Sequence, residues 1–152
     1  MLRVIVSANA AAAKSYYSQG LSKEDYYTKE KQQEIIGEWG GKGAELLGLK
    51  GTVDKEQFSA LCDNLNPSTG DQLTARNNDN RRVGYDLNFH APKSLSILYS
   101  LTEDEKILDV FRDSVRGTMS EIETDMQTRV RKDGQNENRD TGNLVYGEFI
   151  HK

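Results

Sequence analysis

One long amphipathic stripe constrains the fold of this chain more than any other feature of its sequence. The stripe begins shortly after Asp104 and recurs at intervals of three or four residues, which is the spacing of one helix face. Its members are Ile107, Leu108, Phe111, Val115, Met119, Ile122, Met126 and Val130. We therefore predict a long helix over residues 104–131 that packs across a sheet, and we assign the stripe to the core.

A strict alternation between residues 82 and 90 predicts a β-strand with one apolar face. The apolar face would hold Val83, Tyr85, Leu87 and Phe89, and the opposite face Gly84, Asp86, Asn88 and His90. Asp86 therefore stands in mid-strand on the face away from the apolar side chains. A carboxylate there is either an ordinary solvated strand residue or part of a cleft, and the alternation alone leaves both interpretations open.

The other predicted elements are short. Strands are expected at residues 2–6, 73–76 and 143–151, with 73–76 and 82–90 forming a hairpin around the Asn-rich turn at 77–80. Helices are expected after a cap at Ser7 or Asn9, ending at Gln19-Gly20, and over 45–48 and 54–65. These elements predict an α+β fold, an antiparallel β-sheet with packed helices. Without repeats or linkers, the 152 residues are expected to form one domain.

The composition of the chain makes some functions and locations less expected than others. A net charge of −4 lowers the expectation of nucleic-acid binding without excluding it, because such binding depends on a local basic patch. A single cysteine, Cys62, excludes an intrachain disulfide and a cysteine-based zinc site, and its apolar neighbours predict a buried thiol. We find no stretch of transmembrane length and identify no signal peptide, so we expect a cytoplasmic location and no membrane partner.

Two tyrosine pairs, Tyr16-Tyr17 and Tyr26-Tyr27, are the most distinctive candidates for chemistry. Adjacent side chains diverge on either a helix or a strand, so one member of each pair can pack while the other faces a cleft. A phenol is a usable nucleophile toward a phosphodiester. Its ordinary pKa of about 10 places the phenolate about 4 kcal/mol uphill at neutral pH, so a cation or a general base must assist. Simple packing of amphipathic side chains is the alternative.

Several basic residues in polar stretches are candidate DNA contacts. They are Arg76, Arg81, Arg82, Lys93, Arg129, Arg131 and Lys132. Backbone phosphates need only suitably placed cations. Lys93 also stands beside a predicted helix N-terminus, where free N–H groups can hold a phosphate. For each residue, the alternative is an ordinary solvated surface charge.

Five motifs in order give the chain a family resemblance. They are Ser15-Tyr16-Tyr17 with Asp25-Tyr26-Tyr27, the glycine-rich stretch 37–44, Tyr85-Asp86-Leu87 leading to Ala91-Pro92-Lys93-Ser94, Arg129-Val130-Arg131, and Thr141-Gly142-Asn143-Leu144-Val145. Together they resemble the relaxase domain of conjugative plasmid-transfer proteins, the MobF or TrwC-like class. The resemblance covers the whole chain but only about the N-terminal half of that domain. It implies the palm-like fold of rolling-circle (HUH-type) nucleases, here incomplete.

The resemblance implies a DNA strand transferase that nicks one strand at a plasmid transfer origin. A tyrosine hydroxyl attacks the scissile phosphate, leaving a 5′-phosphotyrosine and a free 3′-hydroxyl. Tyr16 would be the nucleophile for the first strand and Tyr26 for the second, with Tyr17 and Tyr27 as supporting partners. Asp86 matches the family carboxylate that takes the tyrosine proton or orients a ligand.

The resemblance also implies a divalent metal ion, Mg²⁺ or Mn²⁺, held by three histidines in the complete domain. His151 matches the first of these, and the family places the other two in a His-x-His motif beyond Lys152. His90 lies where the family has a small polar residue and cannot replace them. We therefore expect a truncated relaxase that alone binds no metal and is inactive.

The implied partners are single-stranded DNA at a transfer origin, relaxosome proteins and a downstream helicase segment. Two alternatives from other classes stay open. The chain could be a single-stranded-DNA-binding module that lacks the chemistry, since a cationic groove suffices for binding. It could also be a remnant or interaction protein without a DNA role, which the net negative charge favours.

Overall fold

The computed structural model describes residues 1–22, 37–75, 78 and 81–151. In chain order the elements are β1 (Leu2–Ser7), α1 (Ala10–Ser22), β2 (Glu38–Gly40), α2 (Lys42–Leu46), α3 (Lys55–Cys62), β3 (Gly84–Phe89), α4 (Lys93–Thr102), α5 (Glu105–Thr124), β4 (Gln127–Lys132), β5 (Gln135–Asp140) and β6 (Tyr146–Glu148). Within these ranges the strands form three antiparallel ribbons, which pair β1 with β3, β2 with β6, and β4 with β5.

The ribbon of β1 and β3 has the alternation that the sequence predicts. Its apolar face consists of three cross-strand pairs: Leu2 with Phe89, Val4 with Leu87, and Val6 with Tyr85. Directly opposite residues of an antiparallel pair point to the same side, so all six side chains share one face. The other face carries Asp86, opposite Ile5. The strand pattern thus separates an apolar surface from the surface that bears the candidate catalytic carboxylate.

Polar side chains define where three helices begin. Asn9 caps α1 by accepting the N–H of Ala12 at 2.7 Å. Asp54 accepts the N–H groups of Glu56 and Gln57 at the start of α3, and Asp104 accepts that of Lys106 in α5. Each cap satisfies N–H groups that have no partner within the helix. Across the described ranges, no helix combines the length and the apolarity needed to cross a membrane.

Charged side chains tie α5 to the ribbon of β2 and β6. Glu38 and Glu148 lie opposite each other in register. Arg116 reaches both, with Nη2 2.7 Å from Glu38 Oε2 and Nε 2.9 Å from Glu148 Oε2. The pKa of Arg116 is raised, first by its hydrogen bond to Glu148. A guanidinium between two carboxylates offsets their repulsion, which supports the pairing of these two short strands.

A buried carboxylate joins α5 to two loops. Glu123 accepts the N–H of Lys42 at 2.7 Å and that of Leu144 at 3.0 Å through the same Oε2 atom. At this junction Gly41 has φ 92°, and a Cβ on it would lie 2.0 Å from the Leu144 carbonyl oxygen. Both the backbone conformation and the close approach require glycine. The loop before β6 is therefore fixed against the start of α2.

The buried apolar side chains come from several elements. They are Ala13, Tyr17, Ala44, Leu49, Val53, Cys62 and Met119. The predicted burial of the Cys62 thiol is confirmed, and desolvation raises its pKa. Of the apolar stripe on the long helix, Met119 is buried, whereas Phe111 and Val115 are half-buried. Every stripe residue on α5 is thus at least half-buried, and the assignment to the core is wrong for Val130, which is exposed on β4.

The predicted hairpin between residues 73–76 and 82–90 is also wrong. Leu73 donates its N–H to the Asn64 carbonyl at 2.9 Å, and Gln72 forms a single bridge with Leu65. Strand β3 pairs instead with β1, far away in sequence. Turn residues indicate only where the chain reverses locally. They cannot show that β1, which is distant in sequence, pairs with β3 at six positions.

The long helix ends earlier than predicted. It stops at Thr124, and residues 127–140 form the hairpin of β4 and β5 instead. The turn between these strands is Asp133-Gly134, with φ 50° and 80°. Two positive φ values in a two-residue turn match the twist of a tight hairpin, and Asp-Gly is a favoured sequence for it. Arg129 and Arg131 are therefore strand residues.

The bounds of other predicted helices and strands also differ from those in the structure. The helix after Asn9 continues past Gln19-Gly20 to Ser22, and the helix predicted over 54–65 ends at Cys62. The strand predicted over 143–151 is only the three residues of β6, which pair with β2 rather than joining β1 and β3. In the described part of the chain, the single predicted sheet is replaced by separate ribbons.

Candidate active site

The two side chains of the first tyrosine pair lie on different sides of helix α1 and have different surroundings. Tyr16 is 60% exposed, whereas Tyr17 is 8% exposed. Successive side chains on a helix lie about 100° apart, so one can face solvent while its neighbour enters the core. The prediction that one member packs is confirmed for this pair, and that its neighbour faces a cleft stays a prediction. Tyr26 and Tyr27 lie outside the described residues.

Tyr17 is held by two aromatic rings. It stacks on Phe58 of α3 and meets Phe149 edge-on, with ring centroids 4.2 Å and 5.5 Å away. Phe149 in turn lies over Gly37, where a Cβ would be 2.1 Å from its ring. Burial and the charge of Asp54 raise the pKa of the Tyr17 hydroxyl. Tyr17 is therefore a packing residue that anchors α1.

Asp86 lies beside the exposed tyrosine. Its carboxylate is within hydrogen-bonding reach of the Tyr16 hydroxyl and accepts a bond from Asn88 Nδ2 at 3.1 Å. The pKa of Tyr16 is raised, first by its hydrogen bond to Asp86, then by desolvation and by the charge of Asp86. The structure thus brings together two of the predicted catalytic residues across α1 and β3.

This arrangement has a clear chemical consequence. A raised pKa keeps the Tyr16 hydroxyl protonated at neutral pH, so nucleophilic attack requires that its proton leave as the new bond forms. The Asp86 carboxylate is the candidate acceptor for that proton. Asn88 was not singled out from the sequence, although its position two residues after Asp86 places both on one strand face.

The first group of candidate DNA contacts lies around β3 and α4. Arg82 is exposed, with its guanidinium 6.0 Å from the Tyr85 ring centroid and Nη1 3.1 Å from the Tyr85 hydroxyl. Lys93 is exposed at the first residue of α4. Arg81 is half-buried and donates to the Cys62 carbonyl, so its guanidinium has a structural partner. Arg76 lies outside the described residues.

The second group lies on the hairpin of β4 and β5, whose residues are all exposed. The register places Arg129 opposite Asn138 and Arg131 opposite Asn136, so these four side chains share one face. Lys132 points to the opposite face. The structure therefore brings two predicted cations together with two amides that sequence reasoning missed. The Asp133-Gly134 turn was the signal that could have revealed this hairpin.

Comparison with known proteins decides the family. A protein-family model described as TrwC relaxase matches residues 10–152. The chain belongs to the TrwC relaxase family. It is 38% identical over 152 residues to the multifunctional conjugation protein TraI of Escherichia coli (strain K12), a match that covers 99% of this chain and 8% of TraI.

Solved relaxase structures are similar as well. The metal-free complex of TrwC with oriT DNA has a TM-score of 0.78 at 32% identity, covering 100% of this chain and 50% of that one. The metal-bound complex has a TM-score of 0.79 at 34% identity, covering 100% and 51%. A TrwC complex with a 27-mer DNA that comprises the recognition hairpin and the cleavage site has a TM-score of 0.77 at 32% identity, covering 100% and 49%. The chain thus spans about half the length of these relaxases, and the predicted antiparallel fold is confirmed.

The described residues of this chain do not form a metal site by themselves. No group of three or more His, Cys, Asp or Glu side chains in the described ranges is placed to hold an ion. His151 is exposed beyond β6, and a lone imidazole lacks the several ligands that a divalent metal requires. The donor set therefore does not fit a metal, although TrwC has been solved in a metal-bound form. That this chain alone binds none stays a prediction.

Proposed function

We propose that this chain carries the nucleophile of a relaxase that cleaves one strand of DNA at a plasmid transfer origin. The observation that supports it is the exposed Tyr16 hydroxyl within reach of the Asp86 carboxylate, on a helix anchored by the buried Tyr17. Relatives of the same fold are TrwC relaxases in complex with oriT DNA. The proposed substrate is a phosphodiester of a single DNA strand that lies across α1.

In the proposed reaction, Tyr16 Oη attacks the scissile phosphorus while its proton passes to Asp86. The bond between phosphorus and the 3′ oxygen breaks, and the leaving oxygen keeps the bonding electrons and takes up a proton from water. The products are a 5′-phosphotyrosine and a free 3′-hydroxyl. Because the proton passes to Asp86 as the new bond forms, no free phenolate is needed, and a free phenolate would lie roughly 4 kcal/mol uphill at neutral pH.

DNA recognition is proposed for the hairpin of β4 and β5. A two-stranded ribbon fits the major groove of a duplex, and Arg and Asn are side chains that form paired hydrogen bonds with base edges. Arg129, Arg131, Asn136 and Asn138 lie on one exposed face of this ribbon. The TrwC complex with a recognition hairpin contains DNA of the kind that such a ribbon could bind. Arg82 and Lys93 are then candidates for phosphate contacts nearer the cleavage site.

Several finer assignments stay part of the proposal. The divalent metal would be Mg²⁺ or Mn²⁺ in the complete domain, of which this chain would be the N-terminal half. Tyr26 and Tyr27 would serve the second strand, and Arg76, Arg81 and Lys132 would contact DNA. Relaxosome proteins and a downstream helicase segment would be further partners, and the reaction would occur in the cytoplasm.

A second candidate function is DNA binding without cleavage. It is favoured by the lack of a three-ligand metal cluster among the described residues. In that case the hairpin of β4 and β5 would still bind DNA, but no covalent product would form.

The deciding experiment is adduct formation on a single-stranded oligonucleotide that carries a transfer-origin nick site. The chain is incubated with Mg²⁺ or Mn²⁺, alone and with a polypeptide spanning the half of TrwC that it does not cover, and run on a denaturing gel. We expect a covalent adduct in the mixture, lost in Tyr16→Phe and kept in Tyr99→Phe. Tyr99 is a fair control because its hydroxyl contacts exposed Glu105, away from Asp86. DNA binding without any adduct would favour the second candidate.

A further inference from the structure

Two contacts of different kinds attach α1, the helix that carries the candidate nucleophile, to α3. One is the stacking of the Tyr17 ring on Phe58. The other is an ion pair in which Lys14 Nζ lies 2.5 Å from Oδ2 of Asp63, the residue directly after the last residue of α3. Helix α1 is therefore held by a packed ring and by a charged contact three residues earlier.

The positions of these contacts around α1 determine what each of them can fix. Successive residues of a helix are about 100° apart, so Tyr17 lies about 100° from Tyr16 around the axis and Lys14 about 160° from it. A single packed ring leaves a helix free to rotate about its axis, whereas a second attachment at another angle opposes that rotation. A rotation of about 20° moves an atom on the surface of a helix by about 2 Å, which is enough to break a hydrogen bond.

The same end of α3 also contacts the segment that leads to Asp86. The Arg81 guanidinium donates a hydrogen bond to the Cys62 carbonyl, and β3 begins shortly after Arg81. Cys62 and Asp63 are neighbours, so one end of α3 contacts both the helix that carries the candidate nucleophile and the segment before the strand that carries the candidate proton acceptor. A contact at this point bears on the distance between the two candidate groups.

The exposure of the ion pair argues against a role in stability alone. The Lys14 side chain is 35% exposed and that of Asp63 is 42% exposed. Pairs this accessible to water contribute little to the free energy of unfolding. A misplacement of reacting groups by about 1 Å can nevertheless slow a reaction about 100-fold. The expected effect of this pair is therefore on geometry rather than on stability.

We propose that the ion pair between Lys14 and Asp63 positions the candidate nucleophile. It fixes the rotation of α1 about its axis and so holds the Tyr16 hydroxyl at the Asp86 carboxylate. Lys14 acts through the helix, which makes it a positioning residue and not a catalytic one. Its role in cleavage rests on the proposed function, whereas its effect on the contact between Tyr16 and Asp86 is measured without DNA. The alternative is an ordinary surface ion pair without effect on Tyr16.

The test uses NMR at neutral pH on the intact chain, with its tyrosines labelled with ¹³C at Cζ. The Tyr16 resonance is assigned from Tyr16→Phe, and Asp86→Asn gives the chemical shift of this phenol without its carboxylate partner. We expect Lys14→Met to move the Tyr16 resonance toward that value. Lys14→Arg should leave it nearly unchanged, because arginine keeps the cation. Circular dichroism should show an intact fold in both variants of Lys14, since the pair is exposed.

A double variant separates positioning from a direct effect of the lost charge. If Lys14 acts through the hydrogen bond between Tyr16 and Asp86, Lys14→Met should cause no further shift once Asp86→Asn has removed that bond. Lys106→Met is the matched control, because it removes the same charge from an exposed residue in the first turn of α5. It should leave the Tyr16 resonance unchanged.

Four results would overturn the inference. They are an unchanged Tyr16 resonance in Lys14→Met, an equal change in Lys106→Met, an equal change in Lys14→Arg, and an equal effect of Lys14→Met with and without the Asp86 carboxylate. Each would show that the ion pair does not act on the contact between Tyr16 and Asp86.

Adduct formation gives a second readout. In the mixture that contains both polypeptides, Lys14→Met should slow the reaction about 10- to 100-fold without weakening DNA binding. An unchanged rate despite a shifted Tyr16 resonance would overturn the positioning role. A shifted resonance in Lys14→Met, with no adduct even from the unaltered chain, would keep this inference and count against the proposed function alone.

Discussion

Tyr17 stacks on Phe58 with ring centroids 4.2 Å apart and the ring planes inclined by 15°. This contact joins α1 to α3, and the edge-on contact with Phe149 adds the segment after β6. Three parts of the chain that are distant in sequence thus meet at one side chain. The accessible nucleophile candidate is the adjacent residue, so the orientation of Tyr16 depends on how firmly Tyr17 is packed.

Replacing the packed ring should destabilise the protein far more than replacing its exposed neighbour. We expect Tyr17→Ala to lower the free energy of unfolding by about 3 kcal/mol, because it opens a cavity and removes both aromatic contacts. Tyr16→Ala should change it by less than about 1 kcal/mol. Urea denaturation followed by circular dichroism measures both. Similar losses in the two variants would contradict the assignment of Tyr17 to the core.

The pKa of Tyr16 should depend on Asp86. Asp86→Asn removes the carboxylate whose hydrogen bond and charge raise this pKa, so the pKa should fall toward its ordinary value. NMR titration of tyrosine labelled with ¹³C at Cζ measures it, with the resonance assigned from Tyr16→Phe. An unchanged titration in Asp86→Asn would show that the two side chains do not interact in solution.

The sign of the linked change in stability follows from the raised pKa. In the unfolded chain Tyr16 loses its proton at about pH 10, earlier than in the folded protein. The stabilising contribution of its hydrogen bond is therefore complete below about pH 10 and declines as pH rises through the raised value. Tyr16→Phe should make the loss of stability above pH 10 less steep.

Glu123 should be essential for stability despite its charge. Glu123→Ala leaves the N–H groups of Lys42 and Leu144 without their shared acceptor, and we expect it to lower the free energy of unfolding by about 3 kcal/mol. Glu121→Ala, two residues earlier on an exposed part of α5, is the matched control and should have little effect. Thermal denaturation distinguishes them, and equal melting temperatures would refute this role of Glu123.

The two faces of the β4–β5 hairpin should differ in DNA binding. Arg131→Ala should weaken binding to a transfer-origin hairpin oligonucleotide by about 1–3 kcal/mol, because it removes the proposed paired hydrogen bonds to a base edge. Arg139→Ala removes the same charge from the opposite face and should have a smaller effect. Fluorescence anisotropy at several salt concentrations measures both. Equal weakening would mean that the hairpin acts only through its total charge.

The sequence predicted those features that depend on a local period. The alternation from Val83 to Phe89 correctly separated the apolar face from Asp86, and the divergence of adjacent side chains correctly predicted that one member of the first tyrosine pair packs. The family was also identified from short motifs in order, and the comparisons confirm it. In each case the information lies within a few neighbouring residues.

The errors came from patterns that competed over longer distances. Met126 and Val130 continue the spacing of the helical stripe. The Asp133-Gly134 turn nevertheless reverses the chain, so that residues 127–140 form a hairpin. Likewise, the partner of β3 is chosen by the apolar pairs it makes with β1, which no turn signal reveals. The hydrogen bond between Asn88 and Asp86 was not singled out, although the alternation had already placed both on one strand face.

The contact between Phe149 and Tyr17 has a geometric consequence for the proposed reaction. Phe149 rests against Gly37 and against the neighbour of Tyr16, and His151 follows it by two residues. One aromatic ring therefore sets the spacing between α1, which carries the candidate nucleophile, and the segment that leads to His151. A change in ring size at position 149 would alter the distance between these two candidate groups while leaving both chemically intact. The proposed reactive geometry would then depend on a side chain that takes no part in the proposed reaction.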